Sequence, residues 1–165
     1  MRKSPASATS SARVQQDAAK FQPECICVNL RRAARAVSQL YDDALAASGL
    51  KITQFSLLRA IQRNTLQKNQ RASINLLAEE MELDRSTLAR NLRPLERDGL
   101  ITLSPGRDKR VVEAHLTLAG AAAIASAVPL WRVVQQDVAA RLGATRAHQL
   151  RKIAAYATGL VTPPV

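Results

Sequence analysis

The sequence predicts a mainly α-helical chain carrying one small β-hairpin. Three observations predict it. Apolar residues make up 47% of the 165 positions but aromatics only 3%, so the core is built from Leu, Ala, Ile and Val, a palette that favours helices. Leucines and isoleucines recur at three- and four-residue steps through most of the chain. The period changes to short β-type runs only on either side of Pro105-Gly106.

In chain order, residues 1–20 are rich in Ser, Ala and basic side chains and have no apolar segment of signal-peptide type; they read as a flexible basic arm. Residues 21–165 read as a single domain. A long helix over about 23–48 starts at Pro23, carries Ile26, Leu30, Ala33, Val37, Leu40 and Ala44 on one stripe, and closes at Gly49. Thr53 is the expected cap of the next helix, with Phe55, Leu57, Leu58 and Ile61 inside, and Asn64 to Arg71 reads as a polar connection.

A short helix over Ile74 to Met81 then leads through Glu82-Leu83 to Asp84. The Asp84 carboxylate can accept from the N–H of Ser86 or Thr87 and start a helix at Arg85. Leu88, Leu92 and Leu95 fall on one side of that helix; Arg85, Ser86, Ala89, Arg90, Arg93 and Arg97 are left outward. Gly99 stands where a helix end wants a left-handed residue. Leu100 to Leu103 and Val111 to Leu116 are paired strands around a turn bearing Arg107, Lys109 and Arg110. Two helices across a tight turn followed by a basic hairpin make a winged helix-turn-helix. Its second helix suits a major groove and its wing the phosphates and a narrow minor groove.

Thr117 caps an Ala-rich helix over 117–142, bent by Pro129 and carrying Trp131. Gly143 breaks it, and Thr145 caps a last helix over 145–160 with Leu150, Ile153, Ala157 and Leu160 on one side. These helices and the first carry more apolar face than one small domain covers, which calls for a helical dimerisation region flanking a DNA-binding lobe at about 52–116.

From Leu30 to Leu160 the chain resembles the MarR family of bacterial transcriptional regulators. The stretches that carry the resemblance are GLKITQFSLLRAI, LAEEMELDRSTLARNLRPLERDGLI, then Asp108-Lys109-Arg110 with Leu116-Thr117 and Gly120. It implies an intertwined homodimer on a pseudo-palindromic operator and usually a repressor. It also implies that Asp108 orients the wing through a salt bridge and that Arg110 is the minor-groove arginine. Pro94 departs from the pattern: it removes a helix hydrogen bond to Arg90 and is expected to bend the end of the helix.

The formal charge of +11 points to a polyanionic partner, and double-stranded DNA is the one expected. The apolar runs look too interrupted to span a bilayer, so no membrane partner is expected. The chain offers no Gly-rich phosphate loop, no paired carboxylates in an apolar setting and no nucleophile with a neighbouring His. It therefore reads as no enzyme and with no cofactor; two cysteines and the lack of a signal-type segment in residues 1–20 read as a cytoplasmic location. Both histidines read as structural, and Cys25-x-Cys27 supplies too few ligands for zinc, so no metal is expected.

The DNA contacts are expected from Arg85, Ser86, Thr87, Arg90 and Arg93 on the helix and from Arg107, Asp108, Lys109 and Arg110 on the wing. The resemblance implies release of DNA by a small ligand or by cysteine oxidation. Cys27, Arg31 and Arg35 share one helical face, and with Phe55 and Trp131 as stacking surface they would suit an aromatic carboxylate effector. Cys25 and Cys27 at a helix start are redox candidates, although residues two apart in a helix point to opposite sides. A nonspecific architectural DNA-binding protein is the remaining alternative, since charge alone would allow it.

Overall fold

A computed structural model describes residues 25–66 and 72–159. The basic arm, Pro23, the connection after Leu66 and the stretch from Leu160 onward lie outside them. Helices α1 (Ile26–Leu45), α2 (Ile52–Leu66), α3 (Ile74–Glu80) and α4 (Arg85–Arg97) are followed by an antiparallel pair, β1 (Ile101–Pro105) and β2 (Val112–Leu116), and then by α5 (Leu118–Gly159). The mainly helical class with one hairpin is as expected.

The chain divides into two compact units, Met1–Leu40 and Tyr41–Val165. In the first, α1 leaves Ile26, Leu30 and Val37 exposed. In the second, Leu45, Leu58, Ile61, Leu77, Leu88, Leu92, Leu95 and Ile101 are all but inaccessible and form one core with Phe55, Ile124 and Ala127. Leu150, Ile153 and Tyr156 on the last turns of α5 stay exposed.

The ends of the elements explain where they sit. A one-turn 3-10 helix (Ala46–Ser48) follows α1, and Gly49 closes it with φ 73°. Thr53 does not cap α2. Asp42 does, its Oδ1 accepting from the Ile52 N–H at 2.6 Å, while Gln54 Oε1 accepts from Lys51 N–H. A cap supplied from ten residues upstream is a tertiary contact that local sequence does not announce. Asn64, expected in the connection, lies fully buried within α2, and its amide donates to Ala60 O and to Glu80 Oε2. Ser73 caps α3, accepting from Leu76 N–H at 3.2 Å. Pro94 does not end α4, which runs through it to Arg97 with Leu95 still on the buried stripe.

Gly99 adopts φ 70°, and the chain turns straight into β1. The strands pair Ile101 with Leu116, Leu103 with Ala114 and Pro105 with Val112, so the hairpin is longer at its tip than the leucine run suggested. Strand β2 is also held from the other side: the Ala114 N–H donates to Ala72 O at 2.9 Å, and Glu113 bridges Ser73. The wing is thus fastened to the entrance of α3.

At the other end of β2, Thr117 makes a clamp. Its hydroxyl reaches the carbonyls of Gly99 (2.8 Å) and Leu100 (3.0 Å), and its oxygen accepts from Gly120 N–H. Helix α5 then runs past Pro129 and is interrupted only at Gly143, whose φ 73° and ψ 157° are non-helical. Thr145 is not a cap; it lies exposed inside the second arm of α5. By length and composition alone α5 is long and apolar enough to cross a bilayer, contrary to the expectation that every apolar run is too interrupted for it.

Candidate nucleic-acid interface

Helix α4 presents its polar side as expected. Leu88, Leu92 and Leu95 are fully buried, whereas Arg85, Ser86, Arg90, Arg93 and Arg97 are exposed and Thr87 is half-buried. A period of 3.6 residues with leucines on one stripe leaves Arg90, Arg93 and Arg97 together on the opposite one, with Arg85 at the margin of the first turn. Glu82, with φ 52°, turns the chain sharply between α3 and Asp84, and that turn sets the angle between the two helices.

Asp84 does more than cap. Its Oδ1 accepts from the Thr87 N–H (2.8 Å) and from the Ser86 hydroxyl (2.5 Å), and its Oδ2 accepts from the Thr87 hydroxyl (2.6 Å). Thr87 Oγ1 then accepts from an Arg90 Nη at 3.0 Å. The Ser86 and Thr87 hydroxyls, with the Thr87 N–H behind them, hold the Asp84 carboxyl well below the usual carboxylate range. Arg97 leans on its neighbour Asp98, Nε to Oδ1 at 3.1 Å, in an exposed pair.

The wing tip closes through Gly106 N–H donating to Val111 O at 2.7 Å, and Arg107, Lys109 and Arg110 are all exposed. The contact that Asp108 makes here is with the backbone: Oδ1 accepts from Arg110 N–H at 3.0 Å, and among the described residues no salt bridge of Asp108 appears. It shapes the turn that carries Arg110. His115 does not stand alone. Its Nε2 is 3.0 Å from Ser104 Oγ and 3.8 Å from Oε2 of Glu113, a carboxylate buried one strand pair in from the wing's tip.

A second feature lies away from these arginines. A cavity of about 420 Å³ is lined by Phe55, Ser56, Arg59 and Arg63 of α2, Met81 after α3, and Val128, Trp131 and Arg132 of α5. The Phe55 and Trp131 rings meet at 6.2 Å between centroids, tilted by 34°. Both aromatic residues singled out for a ligand are therefore in its wall. Its cations, however, are Arg59, Arg63 and Arg132, which sequence reading passed over, and not Arg31 or Arg35. Arg31, Arg35 and Cys27 are exposed on α1. Arg63 is ion-paired with Glu80, and Arg59 donates to Gln62 Oε1. Cys25 precedes the first turn of α1 and Cys27 lies within it, both as free thiols.

Residues 50–102 match the family model described as winged helix-turn-helix DNA-binding. No curated protein sequence matches the chain. Among solved structures, the Mycobacterium tuberculosis transcriptional regulator MosR in complex with DNA is 38% identical with a TM-score of 0.72, covering 84% of this chain and all of that one. A mutant MarR from Escherichia coli, complexed with operator DNA, has the same fold at 22% identity and a TM-score of 0.67, over 78% of this chain and 89% of that one. So has BpsR of Bordetella bronchiseptica, whose DNA binding is regulated by 6-hydroxynicotinic acid (22%, TM-score 0.65, covering 80% and 95%).

Proposed function

The chain belongs to the MarR family of winged-helix transcriptional regulators, and from that premise we propose that it is a ligand-responsive repressor released from its operator by a small aromatic acid. DNA binding is carried by Arg85, Ser86, Thr87, Arg90 and Arg93 in a major groove and by Arg107, Lys109 and Arg110 along the wing. The lobe is about 52–116, and α1 with the two arms of α5 forms a homodimer in the cytoplasm. The apolar side chains left exposed on α1 and on the last turns of α5 support that pairing. Two symmetric α4 helices would then meet two half-sites of a pseudo-palindrome.

The observation that carries the effector is the cavity. Phe55 and Trp131 offer ring faces, and three arginines offer charge and N–H donors to a carboxylate. Its wall also includes Met81, three residues before Asp84, and Arg63, whose pairing with Glu80 ties α2 to the end of α3. A ligand that drew Arg63 from Glu80 and spread Met81 from Trp131 would move the helix-turn-helix relative to α5, and with it the spacing of the two reading helices. The regulation of BpsR's DNA binding by 6-hydroxynicotinic acid, in a protein of the same fold, supports the reading.

The test is operator binding with DNA flanking the protein's own gene, titrated with benzoate- and nicotinate-type acids. Release by one of them, lost in Trp131→Ala and in Arg59→Ala with DNA affinity retained, is expected. Indifference to every acid, or binding that ignores DNA sequence, would sink the reading; the second outcome marks an architectural protein.

One observation favours a second trigger. Because Cys25 lies outside α1, joining it to Cys27 would fray only the first turn, where the Asn29 N–H donates to Cys25 O at 3.0 Å, and would leave the rest of the helix intact. Peroxide would take two electrons and two protons from the thiols and leave water. Release by peroxide alone, abolished by Cys25→Ser, would put the trigger there.

A further inference from the structure

The first turn of α4 contains a hydrogen-bond chain whose direction is fixed by one group. An ionised carboxylate only accepts, and a hydroxyl has a single proton to give. With Ser86 Oγ at 2.5 Å and Thr87 Oγ1 at 2.6 Å from Asp84, both hydroxyl protons are committed to it. Each oxygen is left with lone pairs alone. Those of Thr87 meet Arg90 at 3.0 Å; Ser86 is exposed.

That removes most of what a serine usually does on DNA. Phosphate oxygens, guanine O6 and N7 and thymine O4 are all acceptors, and Ser86 has no proton left for them. On the major-groove edge the donors are the exocyclic amino groups, adenine N6 and cytosine N4. We propose that Asp84 is a specificity-determining positioning residue: by taking the protons of Ser86 and Thr87 it makes Ser86 the reader of an exocyclic amino group and holds Arg90 against Thr87 for the neighbouring base. The inference rests on α4 being the base-reading helix. The depressed proton affinity of Asp84 keeps the carboxylate ionised at any physiological pH, so the direction of the chain does not lapse.

The experiment selects duplexes from a random library with the full chain, wild type, Asp84→Asn and Ser86→Ala. Asparagine caps a helix as well as aspartate, so α4 is kept. Its side chain, however, has one acceptor oxygen and an amide that donates, which releases at least one hydroxyl proton. Wild type should enrich adenine or cytosine at one half-site position, Ser86→Ala should lose that preference alone, and Asp84→Asn should shift it toward guanine or thymine. Replacing that base by its analogue without the amino group, purine for adenine or pyrimidin-2-one for cytosine, then tells the two donors apart. The deletion should weaken wild type roughly five- to tenfold, the scale of one lost hydrogen bond, and leave Ser86→Ala unmoved.

An Asp84→Asn protein that selects the same motif overturns the inference. If that variant melts early, the cycle between Ser86→Ala and amino deletion decides instead: additive losses overturn it, non-additive losses support it. Wild type selecting no sequence would overturn the assignment of α4 itself.

Discussion

Replacing Gly120 by alanine tests how α5 is joined to the reading helix. A Cβ built there would lie 2.1 Å from the Leu100 carbonyl oxygen and 2.8 Å from Leu116 Cδ1, whereas ordinary contact begins at 3.4 Å. The side chain of Leu116 can rotate away, but the carbonyl is backbone and would have to retreat by more than 1 Å. It is not at liberty to do so. Leu100 O accepts from the Thr117 N–H and hydroxyl, and Leu100 N–H donates to Leu95 O at 2.9 Å. Overpacking costs about 1–3 kcal/mol where side chains give way; a clash with fixed backbone belongs at the upper end, about 3 kcal/mol, or some 6–12 °C in Tm for a chain of this size. The assay is thermal and urea unfolding at one fixed protein concentration, because the Tm of the proposed dimer would depend on it. Operator affinity should fall as well, since Gly99 and Leu100, which lead from α4 into β1, are the residues on which Thr117 and Gly120 pack. A variant with wild-type Tm and wild-type affinity would refute the clamp.

Three further outcomes follow from the same geometry. Leu92→Ala empties a fully buried site between the reading helix and the core and should cost about 2–5 kcal/mol in urea unfolding; a loss under about 1 kcal/mol would mean that α4 is not anchored there. Arg110→Ala should weaken operator binding and lower the slope of log affinity against log salt by about one while sedimentation still reports a dimer; an unchanged slope would remove Arg110 from the phosphates and the minor groove. The folded-state depression of the Asp84 pKa means that its contribution to stability is present above the ordinary carboxylate value of 3.8 and is lost as pH falls below it. Wild type should therefore lose Tm more steeply than Asp84→Asn on going from pH 5 to pH 3, and parallel curves would show that the hydroxyls do not hold the carboxylate.

The stretch from Asp84 to Leu116 was legible because each of its signals is local. A cap carboxylate, three leucines at helical spacing, a left-handed glycine and a Pro-Gly turn act within a few residues of themselves, and Leu88, Leu92, Leu95 and Gly99 fall where their spacing puts them. The misses have the opposite character. Asp42 caps a helix ten residues downstream, and Asn64 is buried through a carboxylate sixteen residues away on α3; both need the tertiary arrangement before they mean anything. The cavity shows the difference within one site. Phe55 and Trp131 stood out because aromatics are scarce in this sequence, so rarity alone drew attention to them. Arginines are not scarce, and choosing among them requires knowing which helix faces converge. Spacing places Cys27, Arg31 and Arg35 on one helical face but does not reveal that the packing of α2 against α5 gathers Arg59, Arg63 and Arg132 around the rings. Even in the legible helix, spacing identified Asp84, Ser86 and Thr87 as neighbours without saying which way their protons point. That direction is where a list of DNA contacts becomes a statement about which base is read.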